Sequence, residues 1–155
     1  MKRLAAALLL LSSCTGKETP GVLQAGSPME TLETGYRILD SQMESARMNA
    51  GSFHVTHYVV LEPGAIRHFR ETSRNAELDP GDEPVGVPAP LPPDFVWIQG
   101  PQWIGITPSG PAVFPAGFSD SRIDIVAGVT GSRLRMSIDV DQRSAKLGNV
   151  NLSEE

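Results

Sequence analysis

From residue 27 onward, apolar residues recur at spacings of three and four: Met29, Leu32, Tyr36, Leu39, Met43, Ala46 and Ala50. That period stacks them on one face of a helix. The start is marked by Ser27-Pro28-Met29-Glu30, in which Ser27 caps the Glu30 N–H, Glu30 reaches back, and proline occupies the first helical position. Gly51, after Asn49 and Ala50, predicts the stop, and Gly35 is a weak point inside the helix. A single stripe of this width belongs against a core.

Past Gly51 the period changes to two. Phe53, Val55, His57, Val59 and Leu61 alternate with His54, Thr56, Tyr58, Val60 and Glu62, which predicts a half-buried strand. Glu62-Pro63-Gly64-Ala65 has the proline and glycine of a type II turn, and residues 65–70 return as the second strand of a hairpin. Residues 71–94 are proline-rich and acidic and predict a long, mobile surface loop that tolerates shortening. Shorter strands follow at residues 95–98, 102–107, 112–114, 122–129, 133–140 and, weakly, 144–150, divided by turns rich in glycine, proline and aspartate. The expected class is α+β: one N-terminal amphipathic helix packed on a mostly antiparallel β-sheet, in a single domain spanning residues 27–155.

The first thirteen residues belong to a different class of segment. Lys2 and Arg3 precede an unbroken apolar run at residues 4–11, about half the ~20 residues needed to span a bilayer. This is the pattern of an export signal and not of a transmembrane anchor. Leu11-Ser12-Ser13-Cys14 resembles the bacterial lipobox, and Cys14 is the only cysteine in the chain. The resemblance implies that the Cys14 thiol accepts a diacylglyceryl group and that cleavage makes Cys14 the new N-terminus. Two or three acyl chains, at ~0.8 kcal/mol per buried CH₂, anchor a protein firmly where one would not. Because Thr15 and not aspartate follows the cysteine, the resemblance to sorted lipoproteins implies the outer membrane in a two-membrane cell. Residues 14–26, rich in glycine, threonine and proline, read as a lipidated flexible tether.

Charge narrows the partners. Without Lys2 and Arg3 the chain keeps 11 basic residues against 18 acidic ones, a net charge of about −7. Such a surface argues against nucleic acid, whose binding is driven by neutralising phosphates. Nucleophile elbows, phosphate loops, dinucleotide fingerprints, His-Glu-x-x-His and Cys-x-x-Cys are all missing from the sequence. His54 and His57 fall on opposite faces of the predicted strand, whereas His57 and His68 can approach across the hairpin. A metal would want two further ligands, so a half-buried polar histidine is the simpler reading. Asp139 and Asp141 can share a face, and at a sheet edge such carboxylates are solvated. Trp97 and Trp103 are the aromatics most suited to a binding face, with core packing the simpler role. The sequence therefore predicts no catalytic residues, no metal and no cofactor.

Two stretches carry a family resemblance. Residues 39–50, ending Ala46-Arg47-Met48-Asn49-Ala50, run into the first strand, and Phe114-Pro115-Ala116-Gly117-Phe118-Ser119 precedes the closing strands at residues 122–126, 133–140 and 144–148. In this order the chain resembles the globular domain of minor type IV pilins and type II secretion pseudopilins, the H-type and FimT-like forms above all. The resemblance implies a non-enzymatic envelope protein that acts in assembly or surface interaction of such a system, with other pilin-like or secretion proteins as partners. The chain departs from the family in lacking the pilin leader and the twenty-residue apolar helix. The lipid on Cys14 would stand in for both. Two other classes fit the residues: a periplasmic ligand-binding lipoprotein with a β-rich domain, and an enzyme whose site has no local signature.

Overall fold

The computed structural model describes residues 26–129 and 132–154. The segments expected to be an export signal and a tether, with Cys14 between them, lie outside the described residues. Helix α1 (Pro28–Phe53) begins as the sequence predicts: the Ser27 hydroxyl accepts from the Glu30 N–H, the Glu30 carboxylate accepts from the Ser27 N–H at 2.9 Å, and Pro28 opens the first turn. Its inward face carries Leu32, Leu39, Met43, Ala46 and Ala50, all buried. Met29, at the start of the predicted stripe, is exposed. The helix also passes Gly51 and ends at Phe53, capped by His54 in the left-handed conformation (φ 56°), whose N–H reaches the Ala50 carbonyl at 3.0 Å. The left-handed residue that ends the helix is His54 and not Gly51, whose Cβ position faces open space.

Gly35 has a packing reason to be glycine. The Phe95 ring packs against it, and a Cβ at this position would come within 1.9 Å of the ring.

Among the described residues there are ten strands: β1 (His57–Glu62), β2 (Ala65–Arg70), β3 (Glu83–Pro84), β4 (Ala89–Pro90), β5 (Phe95–Gln99), β6 (Trp103–Ile106), β7 (Ala112–Val113), β8 (Arg122–Val129), β9 (Ser132–Asp141) and β10 (Lys146–Glu154). They form two sheets, not the single sheet expected. One runs β3-β2-β1-β6-β7, with β4 also on β2; the other runs β10-β9-β8-β5, and every pairing is antiparallel. Among the described residues the helix supplies 21% and strands 42%, so the domain is mostly β and the α+β assignment is corrected. The two sheets part between β5 and β6, at Gly100-Pro101, where φ of 153° at Gly100 turns the chain away. Alternation shows that a strand exists, but not which sheet it joins.

The core lies where α1 meets both sheets. Leu32, Leu39, Met43 and Ala46 share it with Val59, Ile66, Ile104 and Ile106 of the first sheet and with Ile123, Ile125, Met136 and Ile138 of the second. Each fully buried Leu or Ile contributes about 1.5–3 kcal/mol over its exposed state. The hairpin follows the predicted turn, with Glu62 opposite Ala65 and Gly64 at φ 77°. The first strand, however, starts at His57, leaving Phe53 exposed, and His57, Tyr58 and Val59 are buried in succession. Both faces of β1 are thus covered, which a two-residue alternation does not foresee. Gly105 opposite Tyr58 makes this possible, since a Cβ there would lie 2.9 Å from the tyrosine ring. Among the described residues no helix is long and apolar enough to cross a membrane.

Candidate interaction site

The segment read as a loose loop is held down along its length. Glu71 is buried, and its two carboxylate oxygens accept from the backbone N–H groups of Ala76 at 2.6 Å and Thr56 at 3.3 Å. Asp82, also buried, accepts from the N–H groups of Thr72 at 2.9 Å and Asp79 at 2.8 Å. Asp79 in turn accepts from the Ser73 hydroxyl and the Asn75 amide. The carboxylates answer backbone donors that would otherwise be orphaned by the turns, including the left-handed Arg74 and Ala76. Burial first, and then the nearby Glu71 and Asp82 charges, push the Tyr58 hydroxyl above its ordinary range. Residues 71–83 are thereby tied to each other, to Thr56 ahead of β1 and, through Glu83, to the edge of the first sheet at β2. The segment is the long, irregular and largely exposed stretch that composition predicts, with these bonds at Glu71 and Asp82 tying it to the sheet.

The proline-rich part is fixed by a different device. Ala89 and Pro90 pair with Ile66 and Ala65, the Leu91 N–H reaches the Gly64 carbonyl at 2.9 Å, and the Leu91 side chain enters the core. Prolines cannot donate to a ladder and are accepted at its edge. Residues 90–94 consequently run beside the first half of α1. Between them lies a groove of about 280 Å³ lined by Gly26, Glu30, Thr31, Thr34 and Ile38 on one side and Pro90–Asp94 on the other. A second hollow, lined by Thr34, Arg37, Ile38, Gln42 and Ala89 among others, shares Thr34 and Ile38 with the first and extends it along the helix. The floor is aliphatic and proline, and the polar groups at the rim are few. Such a surface is suited to an apolar segment, with the carboxylates of Glu30 and Asp94 among its lining residues.

The histidines do meet. His57 Nδ1 and His68 Nε2 are 2.8 Å apart, both residues are buried, and His57 Nε2 has no partner among the described residues. One ring must donate and the other accept, so at least one of the two rings is neutral. Burial, followed by the Arg70 charge, lowers the His57 pKa; burial, followed by His57, lowers that of His68 to about 4. His54 stays out at the helix cap. Among the described residues no group of three or more His, Cys, Asp or Glu is disposed to hold a metal ion.

The remaining sequence candidates are not brought together. The indole N–H of Trp97 donates to the Glu62 carbonyl at 2.9 Å, and its ring stands edge-on to Phe95 at 5.0 Å. Trp103 stands edge-on to Tyr58 at 5.2 Å on the other sheet. Asp139 faces Arg122 at 3.6 Å, while Asp141 folds onto the turn after β9, accepting from the Arg143 N–H and the Ser144 hydroxyl. Sequence reasoning missed Asp124, buried on the outer face of the second sheet and bonded to Arg135. It also missed the roles of Glu71 and Asp82. Nothing in the local sequence marks them, since each is one acidic residue among many. The chain matches no protein-family model, no curated protein and no solved structure.

Proposed function

We propose that this chain is a non-enzymatic, lipid-anchored envelope protein that presents its domain to other proteins during assembly or surface interaction, in the manner of a pseudopilin-like component of a type II secretion or type IV pilus system. The observation that carries the reading is the use made of its polar groups. Glu71, Asp82, Asp141 and Trp97 are spent on internal hydrogen bonds and the two buried histidines bond each other, while the apolar groove beside α1 stays open. The pilin-like residues support the family side of the proposal: residues 39–50 lie in α1, and Phe114 to Ser119 forms a turn, with the Phe118 N–H on the Pro115 carbonyl at 3.0 Å, ahead of the closing strands. Anchoring at the outer membrane through Cys14 completes it.

Thr34 is exposed and lines both hollows, so Thr34→Arg fills the groove without touching the core. The expected result is that chemical cross-linking in cells joins the wild-type chain to pilin-like or secretion components, and that Thr34→Arg loses those products at unchanged protein level. Recovery of no such component from the wild type would overturn the proposal. The groove also favours a second reading, a periplasmic ligand-binding lipoprotein, because ligand pockets of ~300–1,000 Å³ are mostly apolar. A small hydrophobic molecule that raises the melting temperature of the wild type and not of Thr34→Arg would select it.

A further inference from the structure

We infer that the apolar groove beside α1 is the docking site of the chain's own residues 22–25, with Leu23 laid against it on the approach to the helix. The docking is independent of the proposed function, and only its consequence for a partner rests on that reading. Among the described residues nothing covers the groove, and the point at which the chain enters it identifies the occupant. Gly26 is the first described residue, and it lines the groove together with Glu30 and Thr31. A Cβ on Gly26 would stand 3.2 Å from the Glu30 carboxylate and 3.9 Å from the Thr31 hydroxyl, so the chain comes in over the first turn of α1 on the groove side. The hollow on the opposite flank of the helix, lined by Glu33, Tyr36, Arg37, Met136 and Val150, does not include Gly26.

The sequence ahead of Gly26 suits the place it is led to. An apolar residue just before a helix cap commonly packs on the fourth helical position and fixes the entry of the chain. Here those positions are Gly26 and Thr31, and neither supplies a large apolar side chain. Between Cys14 and Gly26 the only large apolar residues are Val22 and Leu23. The four residues from Gly26 back to Val22 span about 13 Å when extended, and the helix from Glu30 to Ile38, both lining the groove, advances about 12 Å. Alternate side chains of an extended segment share a face, so Leu23 and Ala25 can meet the groove while Gln24 stays in water. Pro90, Pro92 and Pro93 on the far wall offer apolar surface and no N–H in need of a partner. A link this short gives a local concentration on the order of mM, so a contact too weak to join separate molecules is enough. Where the groove serves a partner, that partner has to displace Leu23, and the tether then lengthens by the residues released.

Two cysteine pairs in the full-length chain in whole cells separate a docked segment from a free one: Leu23→Cys with Thr34→Cys, and Leu23→Cys with Glu33→Cys. Thr34 and Glu33 are adjacent and exposed, but Thr34 lines the groove and Glu33 the hollow on the opposite flank. A free segment reaches both alike. A docked one should close the disulfide to position 34 about tenfold faster than that to position 33, read under mild oxidation as loss of monomer thiols to a maleimide mass tag. Thr34→Cys and Glu33→Cys alone correct for any reaction of Cys14. Adding Val22→Asp and Ala25→Asp, both ahead of the helix cap, should bring the two rates together. The readout needs no partner, so it decides the docking whether or not the pilin-like reading stands. Equal rates at positions 33 and 34 without the aspartates, or a position 34 thiol that oxidises into a dimer of two copies instead, overturns the inference.

Discussion

Replacing Gly35 by alanine should destabilise the domain, although the same change in an exposed helix would do the reverse. In a helix interior alanine is favoured over glycine by roughly 0.5–1 kcal/mol. At Gly35 the new methyl would lie 1.9 Å from one carbon of the Phe95 ring and within 2.6 Å of two more. That ring is only 4% exposed and stands against Trp97, whose indole is tied to Glu62, so it has no open direction in which to swing. Overpacking of a filled core costs about 1–3 kcal/mol, and a contact this short belongs at the upper end. The net expectation is a loss of about 2 kcal/mol, or roughly 6–10 °C in melting temperature for a domain of this size. Gly51→Ala in the same helix, with nothing within 4 Å, should instead gain about 0.5–1 kcal/mol. Urea melts of the two variants, compared at equal slope, measure both signs. Gly35→Ala combined with Phe95→Leu should recover at least about 1 kcal/mol relative to additivity, since residues in contact couple. A Gly35→Ala variant as stable as the wild type would refute the packing argument.

Acid should act through the buried histidines. Their folded pKa values lie below the ordinary value, so the unfolded chain binds more protons and stability falls as pH falls. For His68 the loss is small above about pH 6.5, grows below it and is nearly complete near pH 4, a gap that corresponds to about 3 kcal/mol, and His57 adds a loss of the same sign. His68→Leu should flatten the stability profile between those limits, and an unchanged acid limb would remove the histidine pair as its cause. Cys14→Ser should abolish fatty-acid labelling and leave an unprocessed or soluble product. Continued membrane partition with label uptake would defeat the lipoprotein reading.

The local events were legible in the chain. Ser27-Pro28-Met29-Glu30 specified the helix start because the capping bonds join residues three apart, and Pro63-Gly64 specified the hairpin because the turn needs only its own two φ values. The stripe from Leu32 to Ala50 named the buried face because helix geometry repeats at fixed spacing. What involved distant partners was not legible. Gly35 looked like a defect until Phe95 was found against it, sixty residues away in sequence. Gly51 looked like a stop, but the chain turned at His54, where the first strand leaves the helix. Residues 71–94 looked loose because proline and acidic residues resemble linker composition. Only folding brings the Glu71 carboxylate to the Thr56 N–H and the Leu91 N–H to the Gly64 carbonyl. The division into two sheets was decided in the same way, since hydrophobic alternation fixes which face of a strand is buried and leaves its neighbour to whichever edge completes the core.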